Sequence, residues 1–273
     1  MTEPNAAPRP APGAEPPIRH AGLRTAGIGF GAGLLNGLLG IGGGILLVPG
    51  LIFLRNVHAR VAVATSLGTV LCLSSTALAV HLAISGLYFS TLGSVLLLAA
   101  GALGSQAGTF LLNRVPQRWV LYTFAAFTFV SSTHLILQGL ELYAGATGPA
   151  VAPPLWSFVA IGALAGLFSG MLGIGGGGVV VLTFSVLFHT PILGGIPLAL
   201  AINIGNAGSS LIAQRKTGQT RWREVAQLVP AALLGIGAGV LLAVSMPVGT
   251  LKVLFAVFFL YMGTRLIARG RKS

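Results

Sequence analysis

Between Glu141 and Arg215 stand 73 consecutive residues without Asp, Glu, Lys or Arg. Ordinary soluble domains carry about 25% charged residues and have no way to keep a stretch of this length off their surface. Here 7% of the 273 residues are charged and 54% are apolar, with a mean hydropathy of +0.90. Further charge-free runs of 30, 53, 22 and 27 residues separate Arg24 from Arg55, Arg60 from Arg114, Arg118 from Glu141 and Glu224 from Lys252. A spanning helix needs about 20 apolar residues. The chain therefore reads as a polytopic membrane protein with eight apolar segments, at 23–54, 61–84, 87–112, 119–140, 155–188, 197–213, 225–244 and 247–267. Lipid offers no partner to backbone polar groups, so the expected fold class is all-α.

Composition excludes a soluble enzyme. It also excludes a nucleic-acid partner despite a formal charge of +12, because too little polar surface remains to present a basic face to water. The expected surroundings are the lipid bilayer, and no cofactor or metal is called for. Two stretches fall outside the pattern. Residues 1–22 are rich in Pro and Ala and read as a disordered tail; they lack the basic and apolar regions of a signal peptide. Residues 142–153 are Gly-, Ala- and Pro-rich and read as a linker. The single Cys72 has no intrachain partner.

A repeat divides the chain. Ala32-Gly33-Leu34-Leu35-Asn36-Gly37-Leu38-Leu39-Gly40-Ile41-Gly42-Gly43-Gly44 returns 133 residues later as Ala165-Gly166-Leu167-Phe168-Ser169-Gly170-Met171-Leu172-Gly173-Ile174-Gly175-Gly176-Gly177, with ten of thirteen positions identical. Two transmembrane repeats follow, 23–141 and 154–273. Internal repeats meeting at a central site are the common plan of secondary transporters. Each repeat opens with an apolar segment of about 30 residues, too long for one span and broken by glycines. Such a segment either continues across the membrane or turns back as a re-entrant hairpin.

Charge decides between the two. With both segments folded as hairpins, Arg9, Arg19, Arg24, Arg55, Arg60, Arg114, Arg118, Arg215, Lys216, Arg221, Arg223, Arg265, Arg269, Arg271 and Lys272 fall on one side. Only Lys252 falls on the other. Basic residues mark the cytoplasmic side, so hairpins and cytoplasmic N- and C-termini are expected. If the segments cross instead, two basic loops lie outside. A hairpin plus three spans is an odd number of crossings, so the second repeat is inverted relative to the first and the two Gly-rich tips meet near the midplane.

After each tip a half-helix begins. A helix start exposes unpaired N–H groups and a partial positive charge, and two such starts form an anion site without Lys or Arg. Gly42, Gly43, Gly44, Gly175, Gly176 and Gly177 are the substrate-binding candidates on this argument. Gly29, Gly33, Gly37, Gly162, Gly166 and Gly170 recur at four-residue spacing, the pattern of close helix packing, which also allows a homodimer. Gly173-x-Gly175-x-x-Gly178 matches a dinucleotide fingerprint formally, but it lacks the flanking strand and downstream acid. The polar candidates within segments are Thr65, Ser66, Asn203, Asn206, Asn36 and Ser169, where interhelical hydrogen bonding and ligand binding are both open readings. Thr69 and Gln106 are further polar residues inside the segments. His81 and His134 suit an interfacial role, Lys252 a snorkelling one, and Trp119, Trp156 and Trp222 an aromatic belt. The chain has no Asp, and no Glu lies mid-segment; an acid-free interior suits an anion and disfavours a cation.

The doubled G-x-x-x-G-x-x-G-x-G-G-G run from Gly33 to Gly44 and its second copy, with Pro49 following the first and Ala64-Thr65-Ser66-Leu67 after it, resembles the sulfite exporter TauE/SafE family, also called toluene sulfonate uptake permeases. The resemblance spans the chain after the tail. The second half departs at Leu182, which stands in place of Pro49, and at Asn203 and Asn206 in place of Thr-Ser. The resemblance implies transport of sulfite, sulfoacetate or another organosulfonate across a bacterial inner membrane. An anion channel or a permease for another small carboxylate or oxyanion is the alternative, and an intramembrane hydrolase using Ser169 with His134 lacks the usual G-x-S-x-G elbow.

Overall fold

A computed structural model describes residues 21–39, 42–85, 91–139, 153–188, 192–215, 217–245 and 248–271. Most of the expected tail and of the expected linker lie outside these residues, as do the side chains of His81, His134 and Lys252; Ala21 and Gly22, expected in the tail, begin the first helix. Every regular element among the described residues is a helix: α1 Ala21–Leu39, α2 Gly44–Leu54, α3 Ala59–Ser85, α4 Thr91–Arg114, α5 Gln117–Gly139, α6 Leu155–Leu172, α7 Gly177–Phe188, α8 Ile192–Gln214, α9 Trp222–Ser245 and α10 Val248–Gly270. The eight apolar segments map onto them in order, the two long ones each giving a pair. Among the described residues, Ala59–Ala79, Leu92–Arg114 and Leu155–Leu172 are helices long and apolar enough to cross a membrane.

Polarity is distributed as a bilayer demands. Leu234 and Leu241 are 72% and 74% exposed, while Thr65, Ser66, Thr69, Asn203 and Asn206 are fully buried. Apolar side chains face outward because hydrocarbon costs them nothing; polar ones turn inward, where hydrogen-bond partners exist.

Both broken segments fold back on themselves. Gly50 of α2 lies against Ile28 of α1, and Gly43, nearer the turn, against Ala32. In the second copy Phe184 of α7 stacks on Phe158 of α6 with centroids 5.1 Å apart, and Gly176 approaches Ala165. Contacts that move apart along one helix as they move back along the other define antiparallel pairs. The reversals use backbone that only glycine adopts comfortably: Gly42 has φ +86° and its repeat counterpart Gly175 has φ +89°.

The small-residue stripes join one hairpin to the other half. Gly29, Gly33 and Gly37 of α1 pack on Leu228, Ala232 and Ile236 of α9; Gly162, Gly166 and Gly170 of α6 pack on Leu97, Gly101 and Ser105 of α4. A Cβ on Gly29 would lie 2.5 Å from the Leu228 carbonyl oxygen, and one on Gly162 2.5 Å from that of Leu97. Packing is thus the role of these six glycines, and their faces are consumed within the subunit. Numbers rise together on both helices, so α1 runs parallel to α9, and α4 to α6. In contrast, α5 and α10 are antiparallel: Tyr122 meets Gly270, Thr128 meets Gly263, and Ser132 donates to the Ala256 carbonyl at 2.7 Å.

These directions bring every described arginine to one end of the bundle. There Glu224, the one acid among the described residues, pairs with Arg55 at 3.3 Å and Arg221 at 3.1 Å. Arg269 donates to the Ile52 carbonyl at 3.0 Å and to Asn56 Oδ1 at 2.6 Å. Lys252 belongs to the first turns of α10, at the opposite end. The α1–α2 hairpin enters from the basic end and the α6–α7 hairpin from the other.

Candidate functional site

The two tips touch. A Cβ on Gly44 would stand 2.5 Å from the Gly173 carbonyl oxygen and 2.6 Å from Ile174 Cα, so backbone lies on backbone with no side chain between. Sequence reasoning singled out the triple glycines but passed over Gly173 and Ile174, whose only signal is their place in the repeat. All of Gly42, Gly43, Gly44, Gly175, Gly176 and Gly177 are buried.

Asn203 of α8 stands at the junction. Its Oδ1 accepts the Gly177 N–H at 2.6 Å. Its Nδ2 has no hydrogen-bond partner and lies 3.2 Å from where a Gly42 Cβ would be. Glycine at the start of α7 carries no side chain to cap the helix, so a neighbouring helix supplies the acceptor. Asn206, one turn on, donates to the Gly175 carbonyl at 3.1 Å while its Oδ1 stays unpartnered. Ser66 of α3 donates to the Gly173 carbonyl at 2.8 Å. Asn36 of α1 accepts the Gly42 N–H at 2.9 Å. Ser169 is fully buried with an unpartnered hydroxyl. Thr65 turns elsewhere: its hydroxyl accepts the Arg221 N–H at 3.2 Å, tying α3 to the start of α9, and Thr69 donates to the Thr65 carbonyl at 3.1 Å.

Of the side chains read from sequence, then, Asn36, Ser66, Asn203 and Asn206 converge on the tips. Three of these four serve the second tip, from both α3 and α8. At the first turns of α2 and α7, no acceptor among the described residues takes the N–H groups of Gly44, Ile45, Gly178 or Val179. No charged side chain is among these partners. A crevice of about 390 Å³ lies beside the tips between α5, α6 and α7, lined by Phe127, Val130, Ser131, Phe168, Val179 and Thr183 among others.

The arrangement offers amide donors, a free carboxamide donor and no acid, which is the chemistry of an oxyanion receptor. Comparisons with known proteins give the class of protein and not the ligand. A relative, "Probable membrane transporter protein YunE" of Bacillus subtilis, is 24% identical over 267 residues, covering 89% of this chain and 96% of that protein. No solved structure matches. The family described as "Sulfite exporter TauE/SafE" matches residues 4–135 and 158–273. That family is one of membrane transporters rather than enzymes, which sets aside the hydrolase reading of Ser169 and His134. With both halves matched and a transporter among its relatives, the chain belongs to the TauE/SafE sulfite exporter family of membrane transporters.

Proposed function

We propose that the chain carries a small sulfur oxyanion or organosulfonate across the bacterial inner membrane. The substrate sits where the tips meet, on the free amides at the starts of α2 and α7 and on Asn203 Nδ2. The observation that carries this reading is the contact of the α2 start with the turn that joins α6 to α7, one hairpin from each end of the bundle, with the unpartnered Asn203 Nδ2 beside it and no carboxylate among the partners. The two halves form an inverted repeat, with the basic end cytoplasmic. Antiparallel α5 and α10 support this: they occupy the same place in the two repeats, and repeats of like orientation would set them parallel. The positive-inside count points the same way from independent information.

The test is sulfite, isethionate and sulfoacetate flux in proteoliposomes of the purified protein, against Asn203→Asp. That change keeps an acceptor for the Gly177 N–H and replaces the free donor by a carboxylate oxygen. Saturable flux in the wild type that collapses in Asn203→Asp supports the reading. Saturable flux that survives Asn203→Asp places the substrate elsewhere, and linear non-saturating flux makes the protein a channel.

A further inference from the structure

The interface of α4 with α8 carries a line of polar groups, and those on α4 have apolar counterparts on α9. Asn206 begins the line at the second tip. About a turn further, Ser209 donates to the Ala102 carbonyl at 2.9 Å and accepts Gln106 Nε2 at 3.0 Å. Beside it Ser210 donates to the Ser105 carbonyl at 3.4 Å. Thr109 continues it on α4. The contacts of Gly101 with Ile202 and Asn206, and of Ser105 with Ser210, show that α4 and α8 run in the same direction. Both end in arginine, at Arg114 and just past α8 at Arg215. The line therefore leads from the tips to the basic end.

Ser209 and Ser210 tie α8 to α4, but other groups of the line are left unmet. Asn206 Oδ1 and Thr109 Oγ1 have no partner although the residues are 0% and 2% exposed. Asn206 Oδ1 lies 2.6 Å from where a Cβ on Gly101 of α4 would be, so it is aimed into this interface. At the far end Gln214 is 1% exposed with both side-chain polar atoms unpartnered. Unmet polar groups inside a membrane protein cost stability and mark a pathway.

The other half shows that the fold does not require them. Gly170 packs on Ser105 as its counterpart Gly37 packs on Ile236. In that register α9 has Ile236, Gly237 and Val240 where α4 has Ser105, Gln106 and Thr109. Apolar residues fill this register on the counterpart helix, so packing on a hairpin does not require the polar residues of α4. We infer that the α4–α8 seam is the inner half of the anion path, a neutral polar route between the tip site and the basic face. The inference rests on the transport reading above and assigns its cytoplasmic route.

Thiol labelling tests it. In a Cys72→Ala background, Ser105→Cys and Ser210→Cys are exposed from the basic face to membrane-impermeant methanethiosulfonates, one anionic and one cationic. Leu103→Cys, 69% exposed on the lipid side of α4 at the same depth, is the control. Both seam positions should react at least about tenfold faster with the anionic reagent than with the cationic one, as a field that favours anions dictates, and Leu103→Cys should stay unlabelled. Seam cysteines that label no faster than Leu103→Cys, or that prefer the cationic reagent, overturn the path. Labelling slowed by isethionate supports path and substrate together. Labelling of the expected kind that isethionate, sulfite and sulfoacetate all leave unchanged supports the path and counts against the sulfur-anion reading.

Discussion

Gly44→Ala asks whether the touching tips are the working part of the molecule. The added methyl would stand 2.5 Å from the Gly173 carbonyl oxygen and 2.6 Å from Ile174 Cα. Both obstacles are backbone, so neither swings aside as a side chain would. Restoring ordinary van der Waals contact separates the tips by about 1 Å, and overpacking of this kind costs about 1–3 kcal/mol. The matched control is Gly31→Ala, whose methyl would lie 3.6 Å from the Leu46 side chain, an ordinary contact within the same hairpin. Thermal denaturation in detergent and flux in proteoliposomes are read side by side. Gly44→Ala should lower the melting temperature and reduce sulfonate flux by about tenfold or more, since a misplacement near 1 Å in a preorganised site is that costly. Gly31→Ala should leave both near wild type. Refutation is a Gly44→Ala protein that melts and transports like Gly31→Ala; the tips would then be neither tightly joined nor central to transport.

Asn203→Ala removes the acceptor of the Gly177 N–H and leaves that buried donor unpaired, a loss of about 1–3 kcal/mol; a lowered melting temperature together with weakened anion binding in a thermal-shift titration is expected. At the basic end, His58 has its pKa lowered from 6.5 by burial first and then by the neighbouring Arg60 charge. The unfolded chain therefore takes up this proton more readily than the folded one, and stability should fall as pH drops below about 6.5; His58→Gln should flatten that part of the melting-temperature profile between pH 7.5 and 5.

Much of the architecture was legible because a membrane writes its constraints into the chain. Charge-free runs gave the helices in order. The partition of arginines predicts hairpins over crossings, and within each broken segment the contacts of Gly50 with Ile28 and of Phe184 with Phe158 are antiparallel. The Gly29 and Gly162 stripes announced close packing by their spacing alone. Less was legible in the site. Thr65 and Ser66 are neighbours in sequence, yet a helix points them about 100° apart. One reaches the Arg221 amide and the other the second tip. Which does which depends on how α3 crosses two other helices. Ser209 and Ser210 gave no signal because a lone hydroxyl is ordinary in an apolar helix, and their partners stand about a hundred residues away.

The absence of fixed charge at the tips has an electrical consequence. A carboxylate or lysine in the site would travel with, or neutralise, part of the charge on the bound ion. Amides and a carboxamide neutralise nothing. A monoanion bound there crosses as one whole negative charge, and each crossing is worth about 2.3 kcal/mol per 100 mV of membrane potential. In a cell that is negative inside, that work favours exit. If the proposed anion site is the working one, the passage is electrogenic, and outward movement is its downhill direction unless a second ion moves with it.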